Sequence, residues 1–272
     1  MTLFWPLRRV AKSIHFRLGR YLAEDQAGAS RPSHAPLAEQ IRRSCNKINM
    51  GCGYEKLAGY LNVDVDPACS PDLLIVGGDD AMIPRQHFRE LLAADVLEHI
   101  PRAQTPAALL DWADYLVEGG TLIVQTSSIL DVASKLRQFP RYRDQHAWTI
   151  CLFGNQAHPG DFHHTGFTDV TLKVQLLSAG FRIDRLELKD DWLLRAEATK
   201  VENWAAPCAA GIASDIDFFR EAYRRAVARD AEEQEIRDST AALTRGSSRK
   251  DVLKAVYASP ERLFRVAETN AL

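Results

Sequence analysis

Between residues 47 and 199, short apolar segments alternate with segments of helical periodicity. This alternation is typical of α/β domains, in which helices cover a sheet. The last two apolar segments are predicted to form a hairpin at one sheet edge, and helices are predicted over residues 105–116 and 168–179, the second ending before Gly180. The predicted strands are residues 47–50, 60–65, 73–76, 90–94, 121–125, 182–188 and 192–199.

Composition excludes several classes of protein. The 272 residues carry 34 basic and 36 acidic side chains, a net charge of −2, which argues against general nucleic-acid binding. Five cysteines without a C-x-x-C pair argue against a disulfide framework or a structural zinc site, so a reducing cytoplasm is expected. No apolar run approaches the roughly eighteen residues that span a bilayer.

The two ends of the chain differ from its centre. Residues 1–23 place apolar side chains on one helical face surrounded by basic ones, so they are predicted either to lie on an anionic membrane surface or to pack on protein. Residues 27–36 have the composition of a linker, and residues 215–258 are predicted to form two or three helices that stop at Ser259-Pro260. The predicted domains are therefore 1–36, 37–203 and 204–272.

A glycine-rich turn follows the first predicted strand. In K-I-N-M-G-C-G, Gly51 and Gly53 remove the side chains that would keep a ligand away from the backbone. The next strand ends at Asp64, whose carboxylate can accept hydrogen bonds from both hydroxyls of a ribose. Asp80 follows the third strand, where a carboxylate could accept a hydrogen bond from the exocyclic amine of adenine. These features predict a nucleotide-like ligand at the carboxyl ends of these strands.

Several ordered motifs in residues 45–200 point to one family. K-I-N-M-G-C-G, G-Y-L-N-V-D-V-D-P, D-A-x-x-I-P, A-A-D-V-L-E-H-I-P and V-E-G-G-T-L-I-V-Q-T together resemble the class I S-adenosylmethionine-dependent methyltransferases. The resemblance implies an α/β fold with a Rossmann-like seven-stranded methyltransferase sheet, helices on both of its faces, and S-adenosyl-L-methionine as cofactor. The predicted N-terminal amphipathic helix and small C-terminal helical module flank this domain.

The resemblance also implies roles for individual residues. Gly51 and Gly53 are expected to face the methionine moiety, with Asn49 near its amino group. The other expected cofactor contacts are Asp64 at the ribose, Asp80 and Ala81 at the adenine, and Asp95 near the sulfonium and the acceptor.

This chain departs from the family pattern at three places. Relatives often have an acid at the position of Asn49 and commonly have His at the position of Asp95. Only six residues separate Gly53 from Tyr60, which is too few for a full crossover helix. Stabilisation of a ligand by a helix N-terminus is therefore not expected at this turn.

The acceptor site is expected after the fifth strand. Residues 130–162 form a long insertion rich in aromatic residues, which predicts a lid or binding loop. The string G-D-F-H-x-T-G-F that follows resembles the methyltransferase subgroup of cell-surface polysaccharide pathways. His163 is the candidate general base, with Asp161 as its orienting group or His164 as a substitute. Two alternatives are that a histidine only braces the loop, or that His158, Asp161 and His163 hold a metal ion.

The C-terminal segment resembles a second family. F-F-R-E-A-Y, A-R-D, L-T-R-G-S-S-R and Y-A-S-P-E resemble a phycobilisome-linker-like helical module of unknown function, over about 45 residues. The resemblance implies no catalytic residues. Docking or oligomerisation is predicted for this module, and the alternative is a passive helical cap on the sheet.

The sequence thus predicts an S-adenosylmethionine-dependent methyltransferase that O-methylates a sugar of a bacterial lipopolysaccharide or exopolysaccharide, or a related small acceptor. The alternative is a non-catalytic methyltransferase-fold scaffold that docks partners of a polysaccharide biosynthesis complex. Expected partners are the acceptor and, through the C-terminal module, a second copy or a biosynthetic protein. A cytoplasmic location is expected, at the inner membrane face if residues 1–23 bind lipid.

Overall fold

The structure, a computed structural model, describes residues 35–76, 79–157 and 159–272. The predicted amphipathic helix 1–23 and most of the predicted linker lie outside the described residues. Within the described part of the chain, the first element is helix α1, Ala35–Ser44, so the chain is helical from the last two residues of the segment expected as a linker. Its last turn carries Arg42 and Arg43, which interact favourably with the helix dipole.

Seven strands of the described residues form one sheet in the order β3-β2-β1-β4-β5-β7-β6. Strands β1 to β5 pair in parallel, and β7 runs antiparallel to both of its neighbours. The predicted seven-stranded sheet is confirmed, as is the hairpin at its edge. The strands are β1 Lys47–Met50, β2 Leu61–Asp64, β3 Leu73–Leu74, β4 Phe88–Ala94, β5 Leu116–Ser127, β6 Phe181–Lys189 and β7 Leu193–Lys200.

Helices surround this sheet. Helix α2 packs against β5, and α5 packs against β6. The two helices predicted in this domain are confirmed to within a residue of each end. The helices after α1 are α2 Thr105–Tyr115, α3 Ile129–Gln138, α4 Tyr142–Phe153, α5 Asp169–Ser178, α6 Ala206–Ala209, α7 Asp215–Val227, α8 Glu233–Thr244, α9 Arg249–Tyr257 and α10 Pro260–Thr269.

The order of the strands reverses direction between β1 and β4. From β1 the chain adds β2 and β3 on one side, and it then crosses to β4 on the other side. The register pairs Met50 of β1 with Val63 of β2 and with Ala93 of β4, so these three strands end at the same edge. Open α/β sheets bind ligands in the crevice at such a reversal, outside the carboxyl ends of the strands.

Residues 129–153 form two helices, α3 and α4, joined by a three-residue connection, which corrects the expectation of a long loop. Ser128 caps α3 by accepting a hydrogen bond from the backbone N–H of Asp131. Val132 of α3 and Trp148 and Cys151 of α4 form a small second core with Trp192. The burial of this apolar face stabilises the helices, so the segment does not remain an irregular loop.

The C-terminal segment contains three helices within residues 215–258, as predicted, and one further helix follows them. Helix α9 ends at Tyr257, just before the expected stop at Ser259-Pro260, and the same two residues begin α10: the Ser259 side chain caps it and Pro260 occupies its first turn. Proline is favoured there because the first N–H groups of a helix lack intrahelical partners.

The C-terminal helices share the main hydrophobic core with the sheet. Phe218, Phe219 and Leu253 are fully buried in the cluster that also contains Leu91 and Val124 of the central strands. The proposed boundary between residues 203 and 204 stays a prediction. Among the described residues, no helix is both long enough and apolar enough to cross a membrane.

Candidate functional site

The glycine-rich turn is built at the end of β1. Gly51 and Gly53 have φ angles of 64° and 51°, a region in which a side chain is strained. The backbone N–H of Cys52 donates to the carbonyl of Val63 over 3.0 Å, which ties the turn to β2. No helix follows between Gly53 and Leu61, as predicted from the spacing. The turn therefore exposes backbone to a ligand without a helix N-terminus behind it.

The buried carboxylate of Asp64 holds this turn in place. It accepts hydrogen bonds from the backbone N–H groups of Gly53 at 2.7 Å, Val65 at 2.7 Å and Asp66 at 2.9 Å. Burial raises the pKa of Asp64, and the three hydrogen bonds act in the opposite direction. Because two carboxylate oxygens offer about four acceptor positions, one remains for a ligand hydroxyl. The ribose contact of Asp64 stays a prediction.

Asn49 lies in a buried polar network below the turn. Its side-chain nitrogen donates to the carbonyl of Glu55 and to Oδ1 of Asn62, each at 3.1 Å. Asn62 also donates to Asp72 at 2.7 Å. This network supports the helix-free crossover between residues 53 and 60, and the predicted contact of Asn49 with the cofactor amine stays a prediction.

Asp80 has two partners of its own. Nη2 of Arg85 donates to its Oδ1 at 2.9 Å, and the Tyr115 hydroxyl donates to its Oδ2. The backbone N–H of Ala81 donates to the side chain of Asp79 at 3.1 Å. A hydrogen bond from an adenine amine would therefore be the third that the Asp80 carboxylate accepts, after those from Arg85 and Tyr115. The adenine contacts of Asp80 and Ala81 stay predictions.

Asp95 follows β4 with a φ angle of 57°, an uncommon conformation for a residue with a side chain. Its backbone N–H donates to the carbonyl of Gln125 at 2.9 Å, so it lies at the carboxyl end of the sheet. The position of Asp95 near the reacting centre stays a prediction.

Glu98 is a buried acid that was not among the predicted site residues. It lies in a short 3₁₀ turn, Leu97–His99, and its Oε2 accepts a hydrogen bond from the Thr126 hydroxyl at 2.9 Å. Burial raises the pKa of Glu98 to about 8, and the negative charge of Asp95 acts in the same direction. The signal in the sequence was an acid flanked by apolar residues in V-L-E-H-I.

The ring of His163 is oriented by a backbone carbonyl. Its Nδ1 lies 3.2 Å from the carbonyl oxygen of Cys151. A carbonyl oxygen can only accept, so Nδ1 carries the proton, and Nε2 keeps its lone pair in the neutral ring. Burial lowers the pKa of His163 to about 4, so the ring is neutral near pH 7. This is the protonation state that a general base requires.

The 3₁₀ turn that carries Glu98 also anchors the segment that carries His163. The carbonyl of Glu98 accepts the backbone N–H groups of His164 at 2.8 Å and Thr165 at 3.0 Å. The rings of His99 and His163 meet edge to face at a centroid distance of 4.7 Å. The structure thus brings His163 to the end of β4, where Asp95 and Glu98 lie.

Asp161 and His99 support this arrangement. The buried carboxylate of Asp161 accepts the backbone N–H of Ala157 at 3.2 Å. Burial lowers the pKa of His99 to about 3, so this ring is neutral and packs within the site. Among the described residues no group of three His, Cys, Asp or Glu side chains is arranged to hold a metal ion, and His158 lies outside them.

No protein-family model and no curated protein matches this chain. Among solved structures it is similar to an S-adenosylmethionine-dependent methyltransferase from Archaeoglobus fulgidus, with a TM-score of 0.42 and 14% identity over 62% of this chain and 96% of that one. It is also similar to a putative S-adenosylmethionine-dependent methyltransferase from Listeria monocytogenes, with a TM-score of 0.38 and 13% identity over 62% of this chain and 100% of that one.

A third similar structure is the 1,6-didemethyltoxoflavin-N1-methyltransferase of Burkholderia thailandensis, which was solved with 1,6-didemethyltoxoflavin and S-adenosylhomocysteine bound. Its TM-score is 0.38, with 13% identity over 62% of this chain and 78% of that one. Identities at this level do not identify a substrate.

Proposed function

We propose that this protein is an S-adenosylmethionine-dependent methyltransferase that acts on a hydroxyl group. One juxtaposition carries the proposal. The glycine turn at the end of β1, braced by Asp64, lies next to the end of β4, where the Glu98 turn anchors the segment of His163. The residues expected at the cofactor and the candidate base thus lie together where the strand order reverses, which supports the proposal.

The chemistry needs little covalent participation from the protein. S-adenosylmethionine, when bound, supplies a methyl group on a positively charged sulfur. The oxygen of the acceptor forms the new bond to carbon while the carbon–sulfur bond breaks, and the departing thioether is neutral. The acceptor hydroxyl becomes strongly acidic as its bond to carbon forms, so a base with a pKa of about 4 is sufficient to take its proton. Nε2 of His163 takes this proton and later releases it to water.

The acceptor proposed is a sugar of a lipopolysaccharide or exopolysaccharide. Two aromatic side chains next to the His163 segment support it, since Phe153 is 54% exposed and Phe162 is 36% exposed. An exposed aromatic face can pack against the C–H face of a sugar ring while polar groups around it bind the hydroxyls. The G-D-F-H-x-T-G-F string of residues 160–167 agrees with this acceptor class.

Calorimetry with S-adenosylhomocysteine on the full chain tests the cofactor part of the proposal. We expect binding by the wild type and a loss of about tenfold or more in Asp64→Asn, because the amide places an N–H against backbone donors of the turn. Glu118→Gln, an exposed acid of β5, is the matched control and is expected to bind as the wild type does. Thermal melting of each variant checks that it is folded.

Absence of wild-type binding at saturating ligand would overturn this proposal and favour the non-catalytic scaffold. One observation is compatible with that alternative, namely that both oxygens of Asp80 already accept hydrogen bonds within the protein.

Mass spectrometry of extracted surface glycans tests the acceptor. A deletion strain is expected to lose a methyl group from one sugar, and wild-type protein is expected to restore it. His163→Gln is expected not to restore it, whereas His146→Gln, an exposed histidine of α4, is the control that should. Identical glycan methylation in the parent and deletion strains would contradict the acceptor class without bearing on cofactor binding.

A further inference from the structure

The side chain of Arg85 lies between two acids. Its Nη2 donates to Asp80 at 2.9 Å, and its Nε lies 3.6 Å from Oδ2 of Asp114. The guanidinium also stacks on the ring of Tyr115, with Cζ 4.5 Å from the ring centre. Its Nη1 is buried without a hydrogen-bond partner among the described residues. Arg85 is therefore held by Asp80, Asp114 and the Tyr115 ring, and its Nη1 can donate a further hydrogen bond.

The C-terminal helices supply a second cation to the same acid. Nζ of Lys250 on α9 lies 2.6 Å from Oδ2 of Asp114, the buried carboxylate near the end of α2. One turn further along α9, Lys254 pairs with Asp111 of α2. Two lysines spaced by four residues thus face two acids spaced by three, the separations that place side chains on one helical face.

We propose that Lys250 is a positioning residue for the cofactor site, acting through Asp114 and Arg85 on Asp80. The C-terminal helices then belong to the cofactor-binding machinery, beyond any docking role. This inference rests on the proposed function, because Asp80 is the residue expected at the adenine.

The expected effect of losing Lys250 on the position of Arg85 follows from the free-energy cost of burying an unpaired charge. With Lys250 present, the Asp114 carboxylate has a close cationic partner, and Arg85 can remain on Asp80. Without Lys250, Asp114 would be a buried carboxylate with Arg85 as its nearest cation. Burying an unpaired charge is costly, so Arg85 is expected to move toward Asp114 and away from Asp80. Asp80 would then lose the partner that orients its carboxylate.

The test measures S-adenosylhomocysteine affinity by calorimetry in the full chain. Lys250→Met is expected to weaken binding about tenfold, the loss of one charge-assisted hydrogen bond. Lys254→Met combined with Asp111→Asn is the matched control, because it removes the neighbouring ion pair between the same two helices without leaving Asp111, which also attracts Arg85, as an unpaired charge. Lys250→Arg is expected to keep wild-type affinity, since it keeps the charge.

Lys250→Met combined with Asp114→Asn distinguishes positioning from simple destabilisation. The double variant lacks the charge that would attract Arg85, so it is expected to regain wild-type affinity even though the ion pair between the helices is absent. If Lys250→Met weakens binding no more than the Lys254→Met/Asp111→Asn control does, or if Lys250→Met combined with Asp114→Asn binds no better than Lys250→Met alone, the inference is overturned.

A crystal structure of Lys250→Met gives a readout that does not depend on cofactor binding. The expected result is a direct Arg85–Asp114 hydrogen bond and a lost Arg85–Asp80 contact. If the wild type fails to bind S-adenosylhomocysteine, the proposed function fails, while this structure still decides whether Lys250 controls the position of Arg85. An unmoved Arg85 would refute the inference by itself.

Discussion

Nδ1 of His163 donates a hydrogen bond to the backbone carbonyl of Cys151 over 3.2 Å. Because the carbonyl belongs to helix α4, the fold of the 129–153 segment determines the tautomer of the candidate base. Asp161 was expected to orient the ring, and the backbone carbonyl of Cys151 does so in the structure. The orientation of the His163 ring and the packing of the small second core are thus linked through one residue, since the Cys151 side chain lies in that core.

We expect His163→Gln to lower the rate of methyl transfer by about 100-fold or more, the usual contribution of a positioned general base. Binding of S-adenosylhomocysteine should remain unchanged, because glutamine can keep the hydrogen bond to the Cys151 carbonyl. Single-turnover rates and calorimetry measure the two effects, with His146→Gln as the control. An equal loss of rate and cofactor affinity would assign His163 a structural role.

The two buried histidines predict how stability depends on pH. The pKa values of His99 and His163 lie at about 3 and about 4 in the folded protein, below the ordinary value of 6.5. As the pH falls below 6.5, the unfolded chain therefore binds more protons than the folded protein does. The free energy of unfolding decreases as a result. In thermal melts between pH 7 and pH 4, His163→Gln should lose less stability than the wild type. Parallel curves for the two proteins would contradict the prediction.

The buried acid Glu98 predicts the opposite dependence of stability on pH. Its pKa of about 8 in the folded protein exceeds the ordinary value of 4.5, so between these values the folded state holds a proton that the unfolded state releases. Its contribution to stability is full below pH 4.5 and is lost as the pH rises through 8. Relative to the wild type, Glu98→Gln should become more stable as the pH is raised from 5 to 8. Denaturant unfolding at both pH values measures this difference.

Gly154 should not tolerate a side chain. A Cβ there would lie 1.6 Å from the carbonyl oxygen of Asp161 and 3.1 Å from the backbone nitrogen of His163, and its φ angle is 77°. Gly154→Ala is therefore expected to displace the Asp161–His163 segment and abolish methyl transfer while S-adenosylhomocysteine still binds.

Gly211→Ala is the control for this variant. Gly211 has a similar φ angle of 66° but open space around it, so only the backbone strain remains, about 1 kcal/mol. Full methyl-transfer activity in Gly154→Ala would show that the segment is not part of the site.

Local patterns predicted much of the sheet. Strand β1 has the predicted bounds, because K-I-N-M alternates polar and apolar residues and is ended by glycine. The extended start of β5 was not predicted, since Gly119 and Gly120 favour a turn. The pairing of Leu116, the first residue of β5, with Phe88 of β4 overrides that preference. The helices of the 129–153 segment were missed because their apolar faces are buried against Trp192, which lies far away in the sequence.

The sequence by itself determined the alternation of strands and helices, the glycine turn at residues 51–53 and the helix-free crossover after it. These depend on periodicity, backbone freedom and chain length, which are local properties. Only the tertiary structure decided which nitrogen of His163 is protonated, how deeply Glu98 is buried and that Lys250 reaches Asp114 across 136 positions of the chain. Such charges and hydrogen bonds depend on which distant groups meet when the core closes, and no local pattern encodes that.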